Sequence, residues 1–246
     1  MAEFQIEIAG HTAAVSSLFG SSRDYCQDYW TEKTPEYQIQ VTREDLLFEQ
    51  TELDREAAEE GFRRRLFTDP FLDRAAIQRK MADFLITKDI LMLHGSAIAL
   101  DSNGYLFVAK SGTGKSTHTR LWREMFGART RMINDDKPFI SLEEHFPILC
   151  GAPWSGKHGL HSNISVPLAG ICILERGAEN RIWPIAADDA MPMLLHQSYC
   201  PEGQEVLHRT LIDRLAAAVP LWRMACNREI EAAKTAFFAM SQEKAL

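Results

Sequence analysis

The sequence predicts an α/β fold: a glycine-rich loop on a mixed parallel and antiparallel sheet flanked by helices, preceded by a small α+β unit. Three observations carry this. The apolar run Tyr105-Leu106-Phe107-Val108-Ala109 leads into Lys110-Ser111-Gly112-Thr113-Gly114-Lys115-Ser116-Thr117, and a helix-like run follows. Strand, glycine loop and helix in that order are the context of a phosphate-binding loop. Residues 96–100 and 105–109 flank the turn signal Asp101-Ser102-Asn103-Gly104. So short a link joins antiparallel strands only, so the strand feeding the loop gains an antiparallel neighbour. Finally, the pattern changes from Asp69 into a connecting helix, and apolar runs from about residue 88 begin a core domain (88–246) after an N-terminal unit with that helix (1–87).

In the N-terminal unit, Phe4, Ile6 and Ile8 alternate with polar residues as in a half-buried strand, and Tyr37, Ile39 and Val41 repeat the pattern after Pro35. The stretch from His11 to Tyr29 is compatible with a helix broken at Gly20. Residues 43–66 are highly charged and read as a solvated helix or loop. Arg63-Arg64-Arg65 within them is first a solvated face and second a phosphate clamp. Asp69-Pro70 suits a helix start with proline in the first turn. Phe71, Leu72, Ala75, Ile77, Met81, Phe84 and Leu85 then recur at helical spacing. This helix is expected to pack on the sheet that follows and to join the two parts of the chain.

In the core domain, apolar residues 90–93 and 97–100 flank His94-Gly95-Ser96. A short strand, Arg131-Met132-Ile133-Asn134, ends in Asp135-Asp136-Lys137-Pro138. Residues 139–142 and 147–150 suggest a hairpin, and Gly151-Ala152-Pro153-Trp154-Ser155-Gly156-Lys157-His158-Gly159 is a second glycine-rich loop. A core strand lies within 165–177 and another at 182–185. Helices are expected at 187–199 and 204–218, a strand at 221–226 and a terminal helix at 228–240.

Hydrophobic residues make up 46% of the 246 and charged residues 25%, so a folded core is expected. The net charge of −7 argues against a general nucleic-acid or membrane-surface binder. The five cysteines form no C-x-x-C pair, so neither a zinc site nor a disulfide framework is suggested. No secretory signal and no apolar run near the ~20 residues of a membrane span is visible. A cytoplasmic protein with reduced thiols is expected, with no nucleic-acid or membrane partner. Whether it forms a homo-oligomer is left open.

The loop carries the chemistry. Glycines let backbone N–H groups converge on phosphate oxygens, and the following helix adds its own unpaired N–H groups. Lys115 would reach the outer phosphates and the Ser116 hydroxyl would hold Mg²⁺. The usual pattern, G-x-x-x-x-G-K-[ST], fails only at its first position, Ala109. Asp135 and Asp136 are the second signal. Neighbouring acids on an extended chain point to opposite sides, so one suits the metal and the other the acceptor hydroxyl. His94 reads either as a donor facing the phosphates or as a structural histidine. Lys157 and His158, between glycines, read as a charge on the transferred group or as an exposed turn. Trp154 is either a wall of the acceptor pocket or core, and His118 lies where it could stack near a nucleotide base.

These residues together resemble the HPr kinase/phosphorylase and phosphoenolpyruvate carboxykinase fold group, over roughly residues 88–240. The resemblance rests on His94-Gly95, Ser111-Gly112-Thr113-Gly114-Lys115-Ser116 and Asp135-Asp136. The whole arrangement also looks like the bacterial HPr kinase-related proteins, some of which phosphorylate serine in modified-peptide pathways. The resemblance implies ATP and Mg²⁺, with nucleotide bound by residues 111–117 and Lys115 on the β- and γ-phosphates. It implies Ser116 and Asp136 on the metal and Asp135 as proton acceptor; read from the residues themselves, His94 is the further catalytic candidate and Trp154, Lys157 and His158 are the acceptor-side candidates. The division between the two acids is reversible. The expected activity is transfer of the γ-phosphoryl group to a serine or threonine of a peptide or protein. A small hydroxy metabolite as acceptor, a non-catalytic nucleotide-binding module and a carboxykinase-type lyase are the alternatives. Neither the segment by which HPr kinase grips its protein partner nor the basic set that holds oxaloacetate is found here.

Overall fold

The computed structural model describes residues 1–59 and 61–242. Glu60 of the charged stretch and residues 243–246 of the core domain lie outside them. The chain separates into two compact units, Met1–Thr87 and a second that begins at Lys88. No described helix is long and apolar enough to cross a membrane.

The first unit holds a sheet of β1 (Ala2–Ile8), β2 (His11–Ser17) and β3 (Tyr37–Gln40), with helices α1 (Gly20–Tyr25), α2 (Arg43–Glu59) and α3 (Asp69–Leu85). Here the sequence reading needs one correction. The first half of the stretch from His11 is not helix; it is β2, paired antiparallel with β1 from Ile8 opposite His11 to Ala2 opposite Ser17. The turn between them puts both central residues at positive φ, Ala9 at 51° and Gly10 at 88°. That is the hairpin geometry whose twist matches paired strands, but alanine rarely occupies it, so the turn carried no recognisable signal. Helix α3 packs on α2, β2 and β3 of its own unit. Its Asp73 is fully buried and accepts from Leu18 N (2.9 Å) and Ser22 Oγ, which anchors α3 beneath the first hairpin. Arg64 of the arginine run pairs with Asp54 at 2.7 Å, so that side chain serves the solvated face.

The second unit is built on a mixed sheet of nine strands: β4 (Ile90–Met92), β5 (Ser96–Leu100), β6 (Asn103–Val108), β7 (Thr130–Asn134), β8 (Phe139–Ser141), β9 (Ile148–Cys150), β10 (Ser165–Arg176), β11 (Arg181–Pro184) and β12 (Leu221–Cys226). The central path runs β4-β8-β9-β10-β6-β5-β7, with β12 on β10 and β11 on β12. Strand β6, which feeds the loop, lies between a parallel neighbour, β10, and an antiparallel one, β5. The hairpin turn falls on Asp101-Ser102, because Asn103 already pairs with Leu100.

Among the described residues, four α-helices complete the unit: α4 (Lys115–Phe126), α5 (Ala187–Gln197), α6 (Glu205–Ala218) and α7 (Ile230–Gln242). Helix α4 packs on α7, and both cover the sheet face that carries Tyr105, Phe107 and Ala109. Side chains alternate along a strand, so Leu106 and Val108 face the other way. Trp122 is the largest fully buried side chain and meets the rings of Tyr105 and Phe107 at 4.9 and 5.4 Å. That contact fixes α4, and hence the loop at its start, against β6. On the other helices, α5 packs on α6 and on β6, and α6 on β4.

Candidate functional site

The loop leaves β6 at Ala109 and enters α4 at Lys115. Gly112 and Gly114 hold φ of +71° and +124°, which a side chain would strain. Ala109 has no positive φ and is fully buried in the core, so its methyl group meets no backbone objection and the missing first glycine costs nothing here. Thr113 N donates to Lys110 O at 3.2 Å and closes the loop. The Arg176 guanidinium, from the end of β10, donates to Gly112 O at 2.7 Å and holds the loop from outside. Lys115 is folded back, with Nζ donating to Ala109 O at 3.1 Å.

The acid pair is fixed by Asn134, which is fully buried. Its Oδ1 accepts from the backbone N–H of Asp136 (2.8 Å) and Lys137 (2.7 Å), forming a side-chain turn. Its Nδ2 donates to Ala152 O (2.7 Å) and Trp154 O (3.1 Å) and so ties the second glycine-rich loop to the acids. The two carboxylates then diverge. Asp135, 8% exposed, accepts from Ser96 Oγ at 2.6 Å. Ser96 spends its one hydroxyl proton there, so the 2.8 Å contact with Thr119 Oγ1 is donated by Thr119 of α4. Asp135 is therefore linked through Ser96 to the helix turn that holds Ser116.

Asp136 is half-buried on the other side, with Oδ1 3.5 Å from His94 Nε2. Burial raises its pKa, and Lys137 and Lys115 oppose that shift. Burial also drives His94 down to about 3, helped by Lys137, Lys115 and His196. His94 is thus neutral at physiological pH, and its approach to Asp136 is not an ion pair. Gly156 (φ +68°) closes over Asp136: a Cβ there would lie 3.2 Å from the Asp136 Cβ.

His94 itself is clamped by Gln197 at the end of α5. His94 N donates to Gln197 O at 2.6 Å. With its amide nitrogen turned inward, Gln197 donates to the carbonyls of Ala109 and His94, each at 3.2 Å.

The structure thus gathers the loop, Lys115, both acids and His94. Other candidates lie differently. Lys157 and His158 are exposed on a one-turn helix, Gly156–His158, that begins beside Asp136. Trp154 is 5% exposed and packs edge-on against Phe139 at 6.4 Å, so it is core rather than an open wall. His118 is 2% exposed and packs at 4.5 Å on Phe107, so its ring has no free face for a base. Ser96, Thr119, Asn134 and Gln197 were given no role from the sequence. Ser96 and Asn134 adjoin His94-Gly95 and Asp135-Asp136, which was the available signal; Thr119 and Gln197 carried none.

The donor set fits a magnesium ion. Ser116 and one acid supply hard oxygen ligands, and phosphate oxygens and water are the usual remainder. Among the described residues, no group of three or more His, Cys, Asp and Glu side chains forms a ready-made metal cage.

The chain matches no protein-family model and no curated protein sequence. Among solved structures it is similar to the HPr(Ser) kinase/phosphatase from Coxiella burnetii, at 10% identity, over 63% of this chain and 94% of that one, with a TM-score of 0.36. A likeness that loose carries no functional argument, and the site has to be read from its own geometry.

Proposed function

We infer that this protein is an ATP-dependent phosphotransferase that passes the γ-phosphoryl group to a hydroxyl, with a serine or threonine of a peptide or protein as the acceptor. One observation carries the reading: the hydrogen-bonded chain Asp135–Ser96–Thr119, which fastens the acid pair to the helix of the phosphate-binding loop. A glycine-rich turn alone only binds; a turn locked to two diverging carboxylates has the parts for transfer.

The geometry supports assigning the two acids opposite to the first implication of the family resemblance. Asp135, tied to α4, belongs with Ser116 on the metal side. Asp136, beside His94 and under Gly156, belongs on the acceptor side as the proton acceptor. Its raised pKa makes it a better base than an ordinary carboxylate. A charged His94 would have lowered that pKa; the neutral imidazole leaves the carboxylate basic. Lys115 leaves Ala109 O to reach the outer phosphates, and the glycine-loop N–H groups orient them for in-line attack. Magnesium, when bound, neutralises charge on the transferred group.

Incubation with γ-labelled ATP and a cell extract tests this. The wild-type chain is expected to label a protein or peptide through an acid-stable ester on serine or threonine. Asp136→Asn should bind nucleotide and transfer nothing, whereas Lys115→Ala should lose both. Equal labelling by wild type and Asp136→Asn would reject the assignment. Nucleotide binding without labelling by any form would favour a regulatory binding module.

A further inference from the structure

Three separate elements bring cationic or imidazole side chains to the Asp136 side of the site. Lys137 follows Asp136 directly, just beyond β7. Backbone bonds from Leu93 N to Pro138 O (3.1 Å) and from Gly95 N to Asp136 O (2.9 Å) set His94 directly opposite Lys137. Such an antiparallel pair, lying between two hydrogen-bonded ones, is the kind in which side chains come closer. Lys157 and His158 follow Gly156, where a Cβ would stand 3.2 Å from the Asp136 Cβ. His196 lies in the last turn of α5, next to Gln197, whose carbonyl accepts from His94 N. Consecutive Cα atoms are about 3.8 Å apart. Lys137, Lys157 and His196 thus each start one residue from Asp136 itself or from a residue packed on Asp136 or His94.

These side chains are not engaged elsewhere in the protein. Among the described residues, Lys137, Lys157, His158 and His196 make no side-chain hydrogen bond and no ion pair. Lys157, His158 and His196 are exposed, and Lys137 is half-buried. The charge of Lys137 reaches both Asp136 and His94, and that of His196 reaches His94. In a chain of net charge −7 this is a local excess of positive charge. It surrounds the carboxylate that receives the acceptor's proton, since Asp135 is turned away to Ser96.

We propose that the acceptor hydroxyl is carried on an acidic segment, with Asp or Glu side chains beside the serine or threonine seated on Lys137 and Lys157. His158 and His196 are further donors at the rim. This names the acceptor class of the phosphotransferase reading and rests on it. A basic segment is repelled by the same groups. An acidic one is not turned away by Asp136, because Lys137 offsets that charge. Lys157 is then a specificity-determining residue: its side chain holds no part of the loop, the acid pair or the metal ligands in place.

Serine peptide libraries, incubated with the full chain and γ-labelled Mg-ATP, test this. One library carries Asp and Glu at the positions flanking the serine, one Lys and Arg, and one Ala and Gln. One exposed charge pair is worth about three- to fivefold. With two lysines engaged, the acidic library is expected to be labelled about tenfold faster than the neutral one, and the basic library slowest. Raised salt should narrow the difference. Lys157→Ala should slow the acidic library by about three- to fivefold and leave the neutral one unchanged. Lys157→Glu should lower labelling of the acidic library and raise that of the basic one. Equal labelling of all three by the wild type would overturn the acidic acceptor and leave phosphoryl transfer standing. An equal fall in all three in Lys157→Ala would put this lysine on the transferred group and overturn its role in specificity. No label in any library would overturn the phosphotransferase reading, and the acceptor class with it.

Discussion

Asp136 is the side chain on which transfer turns, and its surroundings set a testable pH dependence. The base form is the active one. Burial raises its pKa above the ordinary carboxylate value of 3.8, so activity is present above that raised pKa and is lost as the pH falls through it. His94, held near 3, stays neutral across the same range and adds no inflection at the usual imidazole position. A kcat–pH profile should therefore show one acid limb, displaced upward from 3.8, that disappears in Asp136→Asn. The substitution should lower kcat by roughly 10²- to 10⁴-fold. A limb that survives the substitution would assign the proton acceptor elsewhere. Gly156→Ala offers a gentler probe. The new methyl group meets Asp136 at 3.2 Å, at a φ of +68°. It should cut kcat while costing only about 1–2 kcal/mol of stability.

At the scale of single elements, α4 does two things at once: it begins at the loop and is sealed into the core by Trp122. Its bond to the acids runs through Ser96. Ser96→Ala leaves the Asp135 carboxylate without that donor in a buried site, at a cost of about 1–3 kcal/mol, readable by urea unfolding. His118 in the same helix is a proton-linked element. Its folded pKa is about 3 against an ordinary 6.5, because burial excludes the charged form. The stability this reflects is fully present above about 6.5 and is lost as the pH falls toward 3, since the unfolded chain takes up the proton first. His118→Gln keeps an acceptor for Trp122 and removes the titration, so its stability should fall less steeply between pH 7 and pH 5. An unchanged slope would place the linkage in other groups.

Over the whole molecule, the legible parts were those with local signals. The β5–β6 hairpin followed from a short connection that forbids a parallel pairing. The loop and the acid pair followed from residue types at fixed positions on strand ends. What was hidden depended on distant partners. β2 was obscured by a turn that places an alanine at positive φ. Gln197 lies 88 residues beyond Ala109 in the sequence and reaches the loop strand only because α5 folds back on β6. The parting of Asp135 and Asp136 was expected from the alternation of an extended chain. Which acid faces α4 was decided by Ser96, on a different strand. The second unit has its own core, with Phe107, Trp122, Cys172 and Met224 buried between sheet and helices. Residues 88–246 expressed alone should accordingly unfold in one cooperative urea transition; a broad, non-cooperative loss of structure would contradict that.

The most direct measurement is a crystal structure of the chain with magnesium and a non-hydrolysable ATP analogue. The β- and γ-phosphates are expected on the N–H groups of residues 112–117, with Lys115 drawn off Ala109 O, the metal between Ser116 and Asp135, and Asp136 open to the γ-phosphate. A triphosphate bound away from the loop, or Lys115 still on Ala109 with the analogue bound, would contradict the assignment of this site.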